Sequence, residues 1–165
     1  IGIIPNSELA EKAGIACENG ITVDERCQTS IPQIYAAGDC TNHPNPLLNR
    51  RLRLESVPNA MEQARVCASN MVGKDKIYSS IPWFWSDQYE LKLQMVGFSS
   101  DGDSEIIRGD MDANQFSVFH VKENKVVAAD SVNSPKDFMI CKQLIGKEVD
   151  LDKLLDESIE LKSML

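Results

Sequence analysis

No Cys-x-x-Cys pair occurs in this sequence, although it holds five cysteines, Cys17, Cys27, Cys40, Cys67 and Cys141. An odd, scattered set is a poor disulfide framework, so a reducing, cytoplasmic compartment is the simplest expectation. Gly-x-Gly is also absent, which rules out a Gly-x-Gly-x-x-Gly phosphate loop within these residues. Apolar runs stay well short of the roughly 20 residues needed to span a bilayer, and no signal-peptide pattern opens the chain. Positive charge is scarce: 17 Lys and Arg stand against 25 Asp and Glu, a formal net charge of -8. Phosphate binding needs a basic face, so neither nucleic acid nor an anionic membrane is expected as the main partner. Histidine is nearly missing too. Cys40 and His43 are spaced like half a metal site with no second half, and His120 falls on an expected strand, so no metal is expected.

What is present supports a packed chain. An apolar fraction of 42% over 165 residues suits one ordinary domain or two small ones. The organising stretch runs from Thr29 to Cys40. Residues 33–37, with Ile34 and Tyr35 beside two alanines, are expected as a short buried strand. Gly38 then follows at its carboxyl end, where the missing Cβ lets a ligand approach the backbone. Asp39 offers a carboxylate to accept hydrogen bonds from hydroxyl groups. Together they suit a sugar-like or ribityl chain.

Upstream, residues 1–6 read as the end of a buried strand and a turn. Ser7 is placed to cap a short helix over 8–13 that Gly14 stops, and residues 20–24 alternate as a strand. The start is abrupt, without an initiator Met, and suggests the tail of a larger domain. Downstream, residues 41–49 are polar and proline-bearing and are expected as a loop. Arg50, Arg51 and Arg53 form a basic cluster, either a solvated patch or a docking surface. Residues 55–73 form a helix with Ser56 as N-cap and Pro58 in the first turn, where no intrahelical amide bond is lost. Val57, Ala60, Met61, Ala64, Ala68 and Met71 give it a buried stripe. Its amino end suits an anion or an electron-rich ring.

A polar linker over 74–80 marks a boundary, with one unit over 1–75 and a second over 81–165. In the second, Pro82-Trp83-Phe84-Trp85-Ser86-Asp87-Gln88 gathers the large aromatics, and Trp83 or Trp85 can either stack on a flat ring or form a plain core. Leu91, Leu93 and Met95 alternate toward Gly97, and residues 104–108 form another strand. Residues 116–121 and 126–132 flank a hairpin turn at Glu123-Asn124-Lys125. Ser134-Pro135 opens a helix that Gly146 stops, and residues 151–155 form a short final helix. The fold class expected is an α+β domain of antiparallel sheet plus helices, preceded by closing strands and a helix of an α/β domain.

Several of these stretches resemble one family. Thr29-Ser30-Ile31-Pro32 with Ile34-Tyr35-Ala36-Ala37-Gly38-Asp39 is similar to the second FAD-binding motif of two-dinucleotide-domain flavoprotein reductases. Arg53-Leu54-Glu55-Ser56-Val57-Pro58-Asn59-Ala60 with Glu62-Gln63-Ala64-Arg65 resembles the helix motif of FAD-dependent NAD(P)H:ferredoxin and rubredoxin reductases. Pro82-Trp83-Phe84-Trp85-Ser86-Asp87-Gln88-Tyr89, Ile107-Arg108-Gly109 and Val132-Asn133-Ser134-Pro135 follow in the same order.

The resemblance implies hydride transfer from NAD(P)H to FAD and single-electron transfer to a ferredoxin or rubredoxin. It implies that Gly38 and Asp39 hold the ribityl–phosphate region, and that Ser56, Val57 and Pro58 sit by the isoalloxazine ring. Trp85 would lie beside the flavin as the catalytic aromatic, and Arg51, Arg53 and Arg65 would dock an acidic partner. The family's two phosphate loops have no counterpart here, so the chain alone is expected to hold flavin weakly and to lack reductase activity. Two other readings stand beside it: a non-enzymatic docking or dimerisation module using 81–165, and a piece of a pyridine nucleotide-disulfide oxidoreductase. Unpaired apolar edges in the first part also predict self-association.

Overall fold

A computed structural model describes residues 2–165. The chain divides into two compact units, residues 1–80 and 81–165.

In the first unit, helix α1 (Glu8–Lys12) ends at Gly14, whose φ of +76° only glycine adopts without strain. Ser7 does not cap α1 with its side chain. Its hydroxyl donates instead to the Glu11 carboxylate at 2.6 Å. Strand β1 (Ile21–Thr22) runs parallel to β2 (Thr41–Asn45), which pairs antiparallel with β3 (Arg50–Leu52). Helix α2 (Val57–Met71) follows, capped by the Ser56 hydroxyl accepting from the Asn59 amide at 3.3 Å.

Four further expectations fail here. Residues 33–37 are no strand: Ile31 to Ile34 close a turn through Ile34 N–H to Ile31 O at 2.9 Å. Thr29 braces that turn by accepting from the Ile31 amide at 3.2 Å, and only Tyr35 bridges, to Gln28. Pro32 presets the turn, and beyond it the pairing stops at this single bridge, held by Thr29 N–H to Ile34 O at 2.9 Å and Ala36 N–H to Cys27 O at 3.1 Å. Conversely, the segment expected as a loop is a hairpin, with its strands at 41–45 and 50–52. Its buried side chains are polar and carry no hydrophobic signal, but most of them find partners. Asn42 Nδ2 donates to Glu18 O at 2.6 Å, and Asn45 Oδ1 accepts the Leu47 and Leu48 amides at 3.1 Å each.

Helix α2 turns the other way from its hydropathy. Asn59, Gln63 and Cys67 are buried, whereas Val57, Met61 and Met71 are exposed. Each buried polar residue makes a bond inside the unit, which outweighs the apolar stripe as an anchor. Finally, residues 2–6 form no strand, and Ile4 is exposed, because no described strand pairs with them. Ile1 lies outside the described residues.

The second unit matches the α+β expectation. Strands β4 (Trp83–Gln88), β5 (Leu91–Gly97), β6 (Ser104–Asp110), β7 (Gln115–Lys122) and β8 (Lys125–Val132) form one antiparallel sheet in the order β4-β5-β8-β7-β6. Glu123 and Asn124 join β7 to β8 with φ of +50° and +60°, the mirror-image turn a two-residue hairpin favours. Helices α3 (Pro135–Leu144) and α4 (Leu151–Leu155) supply the cover. Phe119, Val96, Ala129, Phe138, Leu144 and Leu154 form the core between sheet and helices. Arg108 is buried on the same side and donates to the carbonyls of Leu154 (3.1 Å), Asp156 (2.9 Å), Glu157 (3.3 Å) and Ile159. That fan of bonds ties the C-terminal segment to β6. Among the described residues, no helix is long and apolar enough to cross a membrane.

Candidate functional site

In the first unit the candidate site is a backbone corner set on a helix start. Gly38 is buried with φ of +90°, and a Cβ there would rest 3.6 Å from the Ala60 methyl. Space would tolerate alanine; the dihedral would not. The contact with Ala60 puts the corner against the first turn of α2. Gln63, one turn further along, accepts the Gly38 amide at 2.7 Å through Oε1. Thr41 Oγ lies 2.8 Å from both Gly38 O and Gln63 Oε1 and gives its one proton to one of them. The Gly38 amide is thereby consumed inside the protein, and the next residue, Asp39, is exposed.

The helix start is equally constrained. Pro58 has no amide proton, Ser56 Oγ takes the Asn59 amide, and Ser56 O takes the Ala60 amide at 3.0 Å. Among the described residues, the Val57 amide is the one first-turn donor with no acceptor in the chain. With the Val57 side chain also exposed, the corner presents a carboxylate, one free donor and the positive end of a helix together.

The arginines divide. Arg51 is exposed, yet its guanidinium is engaged within the unit, donating to Val23 O at 2.7 Å, Asn42 O at 2.5 Å and Asn42 Oδ1 at 3.0 Å. Arg53 spans Asn19 Oδ1 (3.1 Å), Asp39 O (3.4 Å), Ile3 O (3.2 Å) and the Glu55 carboxylate (2.6 Å). It therefore steadies the corner from behind. Arg65 is 63% exposed at the side chain and, among the described residues, is paired with Glu62 at 2.8 Å. An open groove of about 490 Å³ lies elsewhere in this unit, by the β2–β3 hairpin, lined by residues that include Glu25, Arg51 and Ile77. None of Gly38, Asp39 or Ser56 to Pro58 lines it, and its shape alone does not outweigh the chemistry of the corner. His43, despite its spacing from Cys40, joins no metal cluster among the described residues.

In the second unit Trp85 is half-exposed on the edge strand β4. Its ring lies 5.6 Å from Trp83, which lies 5.8 Å from Phe138 and under the Lys142 ammonium at 4.1 Å. The stack fixes Trp85 while leaving it reachable.

Comparison with known proteins follows this division. A family model described as Reductase C-terminal matches residues 83–165, half of the chain. The chain belongs to this reductase C-terminal family. A second model, Pyridine nucleotide-disulphide oxidoreductase, matches residues 1–64. Putidaredoxin reductase CamA of Pseudomonas putida is 46% identical over the whole chain, and rhodocoxin reductase of Rhodococcus erythropolis is 41% identical over 98% of it. The ferredoxin reductase for the CYP199A2 system of Rhodopseudomonas palustris superposes with a TM-score of 0.92 at 39% identity, covering 99% of this chain and 41% of that one. The chain spans about 40% of the length of the curated relatives it matches.

Gln63 and Thr41 were missed as site residues by sequence reasoning. The signal was available, since Gln63 sits one turn after Ala60 on a helix whose buried face had to meet the Gly38 corner. Its polarity hid it.

Proposed function

We propose that this chain is the carboxyl-terminal part of a cytoplasmic FAD-dependent reductase that passes electrons from NAD(P)H to a ferredoxin or rubredoxin. The carrying observation is the corner itself: Gly38 at positive φ against the first turn of α2, with Asp39 exposed beside it. Those residues fit part of a flavin dinucleotide. Asp39 accepts from ribityl hydroxyls, while the Val57 amide and the α2 dipole suit the electron-rich edge of a ring. Bound flavin would supply the conversion between two-electron hydride chemistry and one-electron transfer.

The chain's own part is to hold and orient. Gln63 fixes the Gly38 peptide plane, Arg53 anchors the Asp39 carbonyl, and Ser56 ends the helix at the point where Val57 is offered. Trp85, held by Trp83 and Phe138, is proposed as the aromatic that serves electron exit, and Arg65 as the docking cation for an acidic partner. Arg51 and Arg53 are committed to contacts within the chain and contribute to docking mainly by shaping the surface.

The test is a visible absorbance spectrum of the full-length polypeptide and its Asp39→Ala variant after incubation with excess FAD and removal of free flavin. Retained flavin bands in the parent and their loss in the variant support the reading. A parent that stays colourless, or a variant that keeps its flavin in full, refutes it.

A further inference from the structure

Trp85 is 43% exposed on β4, an edge strand of its sheet, and among the described residues its ring meets that of Trp83, at 5.6 Å with the planes tilted by 34°. Alternation along the strand puts the two side chains on one face. Pairing of Trp83 with Val96 and of Trp85 with Gln94 fixes where each side chain leaves the backbone. It does not fix how the indoles lie. Among the described residues neither indole nitrogen has a hydrogen bond, so the orientation of Trp85 depends on that of Trp83.

Trp83 is held from α3. Phe138, 1% exposed, lies 5.8 Å from its ring with the planes 48° apart, an apolar contact whose energy depends weakly on direction. Lys142 follows Phe138 by one helical turn, which puts the two on one face of α3. A lysine ordinarily extends its ammonium into water. Lys142 is half-buried, and its ammonium is turned back over the Trp83 ring, 4.1 Å from the centroid and 5.9 Å from that of Phe138. The attraction of a cation is to the face of an indole, so it weakens when the ring tilts away. Lys142 therefore supplies the directional contact that Phe138 does not.

We propose that Lys142 is a positioning residue for the electron-exit step, setting the orientation of Trp85 through Trp83. The inference rests on the assignment of Trp85 to electron exit. Electronic coupling falls steeply with the separation and orientation of the groups between donor and acceptor. Loss of the ammonium thus acts on transfer within the assembled complex and leaves the encounter with the partner largely unchanged.

The full-length holoenzyme tests this as the parent and as Lys142→Met, Lys142→Arg and Trp85→Ala variants. Methionine keeps an apolar stem without the charge, and arginine restores a cation that stacks on aromatic faces. Two indoles this close couple their ultraviolet transitions, and the circular dichroism difference between parent and Trp85→Ala isolates that couplet. Lys142→Met should reduce the couplet. In stopped flow, the prereduced Lys142→Met enzyme should reduce a bacterial ferredoxin that the parent reduces with a limiting rate about fivefold lower, the equivalent of one exposed cation–π contact. The half-saturating ferredoxin concentration should hold steady, and Lys142→Arg should restore both couplet and rate.

A Lys142→Met variant with the parent couplet, or with the parent limiting rate, overturns the proposal. So does an effect confined to the half-saturating concentration, which would make Lys142 a docking charge, or a Lys142→Arg variant as impaired as Lys142→Met. A Trp85→Ala variant that reduces ferredoxin as fast as the parent refutes instead the assignment of Trp85 to electron exit, and the couplet then decides by itself whether Lys142 orients the pair.

Discussion

Replacing His43 with phenylalanine should leave the first unit at least as stable at pH 7 and flatten its acid sensitivity. His43 is 1% exposed, neither ring nitrogen has a hydrogen-bond partner, and the ring meets Tyr78 edge-on at 5.1 Å. Burial first, and the Arg51 charge second, pull its pKa from 6.5 down to about 4. The sign follows directly. Above pH 6.5 the ring is neutral in folded and unfolded chains alike and contributes nothing to the slope. Between pH 6.5 and 4 only the unfolded chain takes up the proton, so stability falls with pH through that window and levels off below it. The interval amounts to about 3 kcal/mol at roughly 1.4 kcal/mol per pH unit.

At neutral pH, two orphaned nitrogens cost about 1–3 kcal/mol, which phenylalanine removes at an overpacking cost of about 1 kcal/mol. Urea unfolding of both proteins from pH 7.5 to 4 is the assay, and the difference between the two profiles isolates His43 from the surface carboxylates. Parallel profiles, or a phenylalanine variant more than about 2 kcal/mol less stable at pH 7, would show that the ring nitrogens have a partner and that the reasoning is wrong.

Other expectations are as concrete. Gln63→Leu removes the acceptor of the buried Gly38 amide, so that amide should exchange with solvent faster and the unit lose about 1–2 kcal/mol; unchanged exchange counts against the role. Arg108→Met frees four carbonyls of the C-terminal segment and should cost about 3 kcal/mol, with new protease cleavage after Asp150; an intact digestion pattern refutes it. Trp85→Ala in the full-length protein should slow ferredoxin reduction on the order of tenfold while NADH–ferricyanide turnover is retained; equal loss of both would deny Trp85 a part in electron exit. The 165-residue chain alone, with Val57, Met61 and Met71 exposed on α2, should self-associate at high concentration, and a monodisperse monomer by light scattering would contradict that.

The second unit was legible because its residues announce themselves locally. Leu91, Leu93 and Met95 alternate, Glu123-Asn124 turns the hairpin, and Gly146 stops the helix, so pattern and packing agree. The first unit was not, and the failures share a cause. Ile34 to Ala37 carry an apolar signal, yet Pro32 and the Thr29 hydroxyl close a turn that needs no ladder. Thr41 to Asn45 carry no apolar residue, yet they form the central strand of the small sheet. On α2 the hydropathy stripe faces outward and Asn59, Gln63 and Cys67 face in. Hydropathy reads transfer out of water; it does not read polar groups that satisfy one another on burial.

That blindness bears on the candidate site. The layer between β2 and α2 is largely polar: Thr41 and Gln63 meet at 2.8 Å, Asn59 Oδ1 accepts from Tyr78 Oη at 2.8 Å, and Asn45 Nδ2 donates to Ser80 O at 3.3 Å. Apolar contacts there would tolerate sliding, since their energy depends weakly on direction. Hydrogen bonds do not, because they weaken steeply with angle and distance. The Gly38 peptide is thus held at one orientation relative to the start of α2 by Gln63, a residue with no apolar signature. A helix anchored by leucines at positions 59, 63 and 67 would be as well buried and would leave the corner free to shift. On this view the polar layer costs the unit orphaned nitrogens at His43 and Gln63, and what it supplies in return is the position of Gly38.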